Sequence, residues 1–228
     1  MSFLNKVCAA SNTKSKYGHY KGPDLEAGKT SISGKEVAAL KSYILPNLKE
    51  GDTILDYGAG TFARNADFLR GLGFKVYAYD PFNGTSGDGF GKGNVSTKLP
   101  TEKFDVGFTS FVLNVVNDSA ENKIIKGLKR LTTKSYHIVR NDIVAELRKS
   151  INSASSRKIL ISFVKKNYPD RQLLKLLENN PEAITRDMVT DLAMFGYQTS
   201  KGFQKLPMLE NKGFSLVKKA SGWKLYSD

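Results

Sequence analysis

Residues 53–60 read Thr-Ile-Leu-Asp-Tyr-Gly-Ala-Gly, and they carry the main indication of the fold. An apolar run of strand-forming residues ends at an acidic side chain and is followed by a glycine-rich turn. A pattern with helical spacing then extends over residues 61–72. A second strand-like run, residues 74–79, leads to Asp80. Strand, glycine turn, helix, strand and acid in this order predict a βαβ unit of the kind that binds a nucleoside cofactor.

The acid before the turn favours a cationic ligand over a pyrophosphate. A dinucleotide turn has the pattern Gly-x-Gly-x-x-Gly, which Gly58 and Gly60 fit, while Ala63 takes the third position. Asp56 would repel a pyrophosphate and attract a positive charge. The glycines let the backbone approach a bulky ligand closely, and the helix start beyond them offers free N–H groups. The alternative is a glycine turn in an unrelated α/β domain.

The segment Leu55–Thr61 resembles motif I of class I S-adenosylmethionine (SAM) methyltransferases. SAM carries a sulfonium and an ammonium group, which would suit Asp56. The resemblance implies that the two turn glycines pass alongside the methionyl part and that Asp80 accepts hydrogen bonds from the ribose hydroxyls. Phe62 stands where many members have a third glycine. The implied fold is α/β and Rossmann-like: a mostly parallel seven-stranded sheet, helices on both faces, and an antiparallel C-terminal strand pair.

The length of 228 residues predicts one domain, to which a small additional unit could be attached, and the hydrophobic share of 40% is typical of a normal core. No apolar run approaches the roughly 18–20 residues that span a bilayer. Residues 1–11 make a poor signal peptide. The single Cys8 fits a reducing compartment, so we expect a cytoplasmic location in a bacterial or phage-infected cell. Two histidines and one cysteine argue against a structural zinc site, and no metal is expected.

The net charge of +13 lies mainly in the flanks of the chain. Residues 1–50 hold 8 basic and 4 acidic residues, residues 51–144 hold 12 and 10, and residues 145–228 hold 15 and 8. The excess of positive charge therefore lies mostly in residues 1–50 and 145–228, the regions that we expect to bind the substrate. This favours nucleic acid, DNA or RNA, as a partner. A lysine-rich solubility surface is the alternative.

Further segments complete the predicted core. A capping box at Ser33–Glu36 predicts a helix that Pro46 ends early. The glycine-rich loop after Asp80 argues against a regular helix, and Val95–Thr97 is a candidate third strand that would place Ser96 beside the adenine ring. The remaining predicted elements are strands at 104–110 and 135–140, a helix capped at Asp118–Glu121, helices capped by Asp170 and Thr185, and strands at 214–217 and 223–226.

Several blocks together resemble a narrower group of phage and bacterial SAM-dependent methyltransferases, some of them encoded beside DNA-modification genes. The matching blocks are Lys29–Ser33, Leu55–Gly58 with Asp80-Pro81, Phe111–Val116, Val139–Ile143 and Lys201–Gln204. The resemblance covers residues 29–143 and fades between residues 144 and 200, where we expect a helical insertion of this chain's own. We therefore predict four parts: an N-terminal arm or cofactor cover (1–32), a SAM-binding core (33–143), a helical insertion acting as lid or recognition surface (144–200), and C-terminal strands (201–228). Residues 14–30 could equally be a flexible cover or a disordered arm.

Missing motifs narrow the chemistry. Amino-directed DNA methyltransferases resemble one another in an Asp/Asn-Pro-Pro-aromatic motif, and this chain has Ser110–Leu113 at that place. Cytosine-C5 chemistry needs a cysteine nucleophile, and Cys8 lies in no Pro-Cys motif. A Lys-Asp-Lys-Glu set for ribose methylation is not evident. Direct transfer to an oxygen or nitrogen acceptor remains, with Asn114 and Asp142 as candidate catalytic residues. His137 is expected to be a satisfied buried residue.

The candidate binding residues follow from the same resemblances. The predicted cofactor-binding residues are Asp56, Tyr57, Gly58, Gly60, Thr61, Asp80, Pro81, Phe82, Ser96, Ser110 and Phe111. The predicted substrate-binding residues are Arg140, Lys201, Phe203 and Gln204. Two other functions stay open: a small-molecule methyltransferase, and a non-catalytic subunit that binds SAM or nucleic acid.

Overall fold

The computed structural model describes residues 16–18, 20–22, 36–85 and 87–228. Cys8, the segment Lys29–Ser33, the start of the Ser33 capping box and most of the predicted N-terminal arm lie outside these residues. Within them, no helix is both long and apolar enough to cross a bilayer.

The core is a mixed α/β sheet of Rossmann-like topology. The strands of this sheet are Thr53–Tyr57 (β1), Lys75–Tyr79 (β2), Phe104–Ser110 (β3), Thr132–Arg140 (β4), Ser215–Lys219 (β7) and Trp223–Ser227 (β8), and their spatial order is β2-β1-β3-β4-β8-β7. β1 to β4 pair in parallel, while β8 pairs antiparallel with both β4 and β7. The chain runs from β1 to β2 on one side and places β3 on the other, which creates a topological switch point beside β1.

Helices cover both faces of the sheet because successive strand residues point to opposite sides. The two helices concerned are Arg64–Gly71 (α1) and Asp118–Leu131 (α2). Ile54 of β1 packs in one buried cluster with Ala66 and Leu69 of α1. Its neighbour Leu55 packs in another with Leu128 of α2. Burying both faces in this way is typical of parallel sheets.

A helical unit, residues 143–204, follows β4 and has a hydrophobic core of its own. It consists of helices Ile143–Asn152 (α3), Ala154–Asn167 (α4), Arg171–Asn179 (α5) and Arg186–Phe195 (α6), and of a hairpin of Tyr197–Thr199 (β5) and Gly202–Gln204 (β6). The described part of the arm packs into this core. The ring of Tyr20 stacks on Phe203 at 4.7 Å, and the Tyr17 hydroxyl donates to Asp170 Oδ2 at 2.7 Å.

The described residues form six strands in this sheet rather than the seven predicted. The predicted third strand, Val95–Thr97, is reduced to bridges at Ser96, whose N–H donates to Ala78 O at 2.9 Å. The ladder does not extend because the chain is already turning. Thr85 N–H donates back to Val95 O at 2.6 Å across a loop in which five of the eleven residues 83–93 are glycine.

Helix ends follow the predicted capping residues with two corrections. Asp170 and Thr185 cap α5 and α6 through their side chains, and Gly196 ends α6, as predicted. The cap of α2 is Asn117 rather than Asp118, since the Asn117 side chain accepts from Ala120 N at 2.8 Å. The segment before β1 is a wide π-type turn at 40–44 and a 3-10 turn at 45–47, because a proline at position 46 prevents a regular continuation.

Candidate cofactor and acceptor site

The glycine turn after β1 is held between β2 and the segment that follows β3. Gly58 and Gly60 have φ of 85° and 69°, in the region that favours glycine. The N–H of Gly58 donates to Tyr79 O at 2.7 Å, which ties the turn to the end of β2. A Cβ at Gly58 would lie 2.3 Å from Cγ2 of Val112. The turn therefore needs glycine for its close approach as well as for its dihedral angles.

Replacing Gly58 by alanine tests the close approach separately from the backbone strain. Gly51 has the same φ of 85°, but a Cβ added there would meet nothing within 4 Å, so Gly51→Ala is the matched control. We expect Gly51→Ala to lose roughly 1–2 kcal/mol of unfolding free energy from left-handed strain alone. Gly58→Ala should lose about 1–3 kcal/mol more from the contact with Val112. Equal losses in urea denaturation would show that the close approach is unimportant.

Asp56 is a buried carboxylate with unmet hydrogen-bonding capacity. Its side chain is fully buried, and neither carboxylate oxygen accepts a hydrogen bond from the described residues. Burial raises the pKa of Asp56 from its ordinary 3.8 to about 7, Arg70 opposes the shift and Asp80 adds to it. The Ala66 N–H also lowers this pKa without reaching hydrogen-bond geometry. Such a group is stabilised by a cationic or hydrogen-bond-donating partner.

Asp80 connects the glycine turn to the loop after β2. Its Oδ2 accepts from Gly60 N at 3.0 Å, and its Oδ1 accepts from Phe82 N at 2.9 Å and from Asn83 N at 2.8 Å. A carboxylate has about four acceptor positions. Oδ2 therefore keeps a lone pair beyond the bond to Gly60, and the side chain is rigidly oriented before any ligand arrives.

Most predicted cofactor-binding residues meet at the carboxyl ends of β1, β2 and β3. Tyr57 packs edge-on against Tyr79 with ring centroids 4.8 Å apart. Thr61 Oγ1 donates to Asn83 Oδ1 at 3.3 Å, which joins the first two loops. Phe82 is 63% exposed on the second loop. The others placed at these strand ends are Gly58, Gly60, Asp80, Pro81, Ser110 and Phe111.

Two non-glycine residues near these strand ends have left-handed backbones. Phe111 has φ of 61° directly after β3, and Ala63 has φ of 46° directly before α1. For a bulky residue this conformation costs on the order of 1–3 kcal/mol. The Phe111 N–H donates to Ile138 O at 2.8 Å, so pairing with β4 helps to hold the strained turn.

Ser96 is buried at the β2 side, where its Oγ accepts from Lys98 N at 3.1 Å.

Asn114 joins three parts of the molecule. Its Oδ1 accepts from Arg140 N at 2.8 Å, and its Nδ2 donates to Lys205 O at 3.0 Å. The Lys205 N–H in turn donates to Asn114 O at 2.7 Å. The buried amide therefore links the segment after β3, the end of β4 and the segment after β6. Its catalytic role stays a prediction, and the bonds to backbone groups define a positioning role.

Arg140 forms an ion-pair cluster at the end of β4. Its Nε and Nη2 donate to the two carboxylate oxygens of Asp142 at 3.0 and 2.9 Å, and Nη2 lies 2.5 Å from Glu146 Oε1. Burial lowers the pKa of Arg140, but the hydrogen bonds to the two carboxylates outweigh it and leave that pKa above its ordinary value. The predicted base Asp142 is thus paired, and its role as a base stays a prediction.

Gln204 ends the hairpin and directly precedes Lys205, whose backbone is bonded to Asn114. Gln204 pairs across the hairpin with Tyr197. The Tyr197 hydroxyl donates to Ile143 O at 3.4 Å, and Ile143 follows Arg140 by three residues in the chain. The Gln204 side chain is buried, and its Oε1 has no hydrogen-bond partner among the described residues. Lys201 and Phe203 do not join this cluster. Lys201 is exposed at the hairpin turn, and Phe203 is buried in the helical unit.

A buried charge cluster beside the site was not predicted. Lys205 is 1% exposed, and its ammonium group pairs with Asp118 and with the buried Glu121 of α2. Lys212 pairs with the same Glu121. Lys205 directly follows the resemblance block that ends at Gln204, but its partners lie more than 80 residues earlier, so no local pattern in the sequence indicates them.

His137 is buried in the middle of β4, as expected. Its Nδ1 lies 2.9 Å from Thr109 Oγ1, and burial lowers the pKa of the imidazole to about 3. Its Nε2 has no partner among the described residues, so the ring is only half satisfied.

No protein-family profile and no curated protein sequence matches the chain. Several solved structures are similar at low identity. Magnesium protoporphyrin IX methyltransferase (ChlM) from Synechocystis PCC 6803 with bound SAH is 12% identical, with 100% of this chain and 86% of that chain covered and a TM-score of 0.43. The DhpI-SAM-HEP complex is 12% identical, with coverages of 100% and 98% and a TM-score of 0.41. A putative RNA methyltransferase from Pyrococcus horikoshii is 16% identical, with coverages of 67% and 82% and a TM-score of 0.35.

Proposed function

We propose that the chain is a SAM-dependent methyltransferase that transfers a methyl group to an oxygen or nitrogen acceptor. The observation that carries the proposal is the buried Asp56 carboxylate without a hydrogen-bond partner among the described residues, beneath a glycine turn at the switch point of the sheet. A dinucleotide would bring phosphate charge to this carboxylate, whereas SAM would bring positive charge.

The residues at the strand ends fit the parts of SAM. Asp56 would stabilise the cationic methionyl end, and the free lone pair of Asp80 would accept from a ribose hydroxyl. The exposed ring of Phe82 would cover apolar surface of the adenine. When bound, SAM supplies a methyl group activated by its sulfonium. The chain itself has to position an acceptor and exclude water.

The acceptor would bind beside Asn114, Arg140 and Gln204. The Gln204 Oε1, unpartnered within the described part of the chain, is suited to accept a hydrogen bond from an N–H or O–H of the acceptor, which would hold the acceptor in line. Asn114 would fix the segment after β3 against β4, and Asp142 would take up a proton when its pair with Arg140 opens.

Gln204→Leu tests this acceptor assignment. We expect methyl transfer to fall roughly tenfold or more, because one hydrogen bond to the acceptor is lost, while SAM affinity stays unchanged. Radiolabelled SAM offered in parallel with DNA, RNA, protein extract and small metabolites gives the readout, and Gln172→Leu on exposed α5 surface is the control. Equal transfer by Gln204→Leu and Gln172→Leu would remove Gln204 from the acceptor site.

We further propose nucleic acid, DNA or RNA, or a nucleotide as the acceptor, on account of the positive charge in the flanks. Binding at low salt that weakens as salt is added supports this proposal. Transfer only to metabolites would favour a small-molecule enzyme. SAM binding without any transfer by the purified chain would favour a non-catalytic subunit. The phage and DNA-modification context, the cytoplasmic location and the four-part division of the chain stay predictions.

A further inference from the structure

The helical unit has a cavity of about 380 Å³ that shares no residue with the candidate site. Its volume falls within the range of roughly 300–1,000 Å³ that is typical of small-molecule sites. Its lining includes Tyr20, Ile159, Ser162, Phe163, Lys166 and Gln198. These residues come from the arm, from α4 and from β5, so the cavity lies where Tyr20 of the arm packs on the helical unit.

The cavity is apolar at its base and polar at its mouth. Tyr20 and Phe163 line it although they are almost inaccessible to solvent, which puts them at the bottom, and their ring centroids are 5.5 Å apart. Ser162 and Lys166 line it and are exposed, which puts them at the opening. A ligand with a flat apolar body and a charged end matches this distribution.

Gln198, one of the residues that line the cavity, carries an unmet acceptor. Its Nε2 donates to Thr199 O at 3.3 Å, while its Oε1 is buried and has no hydrogen-bond partner among the described residues. Burying an acceptor without a donor is unfavourable. A ligand that carries an amino or imino N–H at the edge of a planar ring would satisfy it.

One lysine, Lys166, lies at the opening, on a helix that is basic. Helix α4 carries four basic residues, Arg157, Lys158, Lys165 and Lys166, and no acidic residue. Lys165 pairs with Glu178 at 2.8 Å, whereas Lys166 has no ion-pair partner within the described ranges. An unpaired lysine at the mouth of a cavity is suited to a phosphate group.

We infer that this cavity binds one nucleotide unit, with the base against Tyr20 and Phe163, its edge at Gln198, and the phosphate at Lys166. The unit can belong to a free nucleotide or to a single strand, since both present the same base and phosphate. The inference does not depend on methyl transfer, because none of these residues belongs to the proposed cofactor or acceptor site.

Calorimetric titration of the full chain tests the inference. The ligands are uridine and cytidine monophosphate and a ten-nucleotide single strand, all in low salt with S-adenosylhomocysteine at saturation to block the proposed cofactor site. The variants are Lys166→Glu at the mouth and Ser162→Trp, which fills the opening. Lys126→Glu on the exposed side of α2 makes the same charge change elsewhere and is the control. Thermal unfolding checks that each variant folds.

We expect Lys166→Glu to weaken binding roughly tenfold relative to Lys126→Glu, because a charge-assisted hydrogen bond becomes a repulsion. Ser162→Trp should abolish it. Binding of the monophosphates identifies free nucleotide as a sufficient ligand, and binding of the strand alone identifies a single-stranded polymer. Absence of binding by both ligand classes, or binding that is equal in Lys166→Glu, Ser162→Trp and Lys126→Glu, would overturn the inference.

Discussion

Asp56→Asn is expected to make the protein more stable at pH 8 and, at the same time, to weaken SAM binding by about tenfold to a hundredfold. Both effects come from one carboxylate that is buried without a hydrogen-bond partner among the described residues. When the Asp56 carboxylate is charged, its burial destabilises the folded protein without ligand. The same charge attracts a cationic ligand, so Asp56→Asn should stabilise the ligand-free protein and weaken its binding of that ligand.

The pH dependence of stability separates this effect from simple repacking. Burial raises the pKa of Asp56 from 3.8 to about 7, so between these values the folded protein keeps a proton that the unfolded chain has lost. Stability from this group is therefore fully present below pH 4 and falls as the pH rises through 7. A difference of this size between the folded and unfolded pKa corresponds to a loss of about 4 kcal/mol. Asparagine does not titrate, so its advantage should be absent near pH 4 and greatest at pH 8.

Urea denaturation at pH 4.5, 6 and 8 measures the stability difference, and calorimetry with SAM at pH 8 measures binding. Asp187→Asn on the exposed first turn of α6 is the control, with an expected change within about 0.5 kcal/mol at every pH. An Asp56→Asn variant that is destabilised equally at all three pH values would contradict this account of Asp56. Unchanged SAM affinity would contradict the proposed role in binding.

Lys205→Met is expected to destabilise the fold by about 1–3 kcal/mol, because the buried Glu121 carboxylate loses one of its two cationic partners. Lys205 pairs with Asp118 and with the buried Glu121, and Lys212 still pairs with Glu121 when the Lys205 ammonium group is removed. The backbone bonds between Lys205 and Asn114 would weaken with it, so methyl transfer should fall as well. Urea denaturation at neutral pH gives the free energy of unfolding.

The double variant Lys205→Met with Glu121→Leu distinguishes loss of the ion pair from loss of packing. Replacing both charges by apolar groups of similar size is often neutral, so the double variant should recover much of the stability that Lys205→Met loses. If the double variant is no more stable than Lys205→Met, the cost comes from packing or from the hairpin backbone instead of from the lost ion pair between Lys205 and Glu121.

The βαβ unit and the two acids of the candidate site could be predicted because their signals are local. Strand period, glycines and helix caps all depend on neighbours within a few residues, which is why β3 matches the predicted 104–110 and why Thr185 caps α6 as expected. The prediction of the third strand was wrong for a related reason. A three-residue apolar run can be read as a strand, but here the glycine-rich loop returns before a ladder forms.

What could not be predicted depends on contacts between distant parts of the chain. Asn114 is a candidate catalytic residue in the sequence, but its bonds to Arg140 and Lys205 span 26 and 91 residues. Tyr20 lies in a segment that could have been a cover or a disordered arm, and it packs on Phe203 of the hairpin. Such pairings follow from tertiary packing, to which periodicity and capping patterns give no access.

The position of β8 between β4 and β7 constrains the order in which the chain can fold. β4 ends at residue 140 and its second neighbour begins at residue 223, so the whole helical unit is synthesised while one edge of β4 has no strand partner. The helical unit is rich in local contacts and can form early, whereas the β4–β8 ladder needs closure of a long loop and forms slowly. An unpaired buried-type strand is a template for pairing between molecules. Nascent chains at high concentration are thus most exposed to misassembly before residues 223–227 insert.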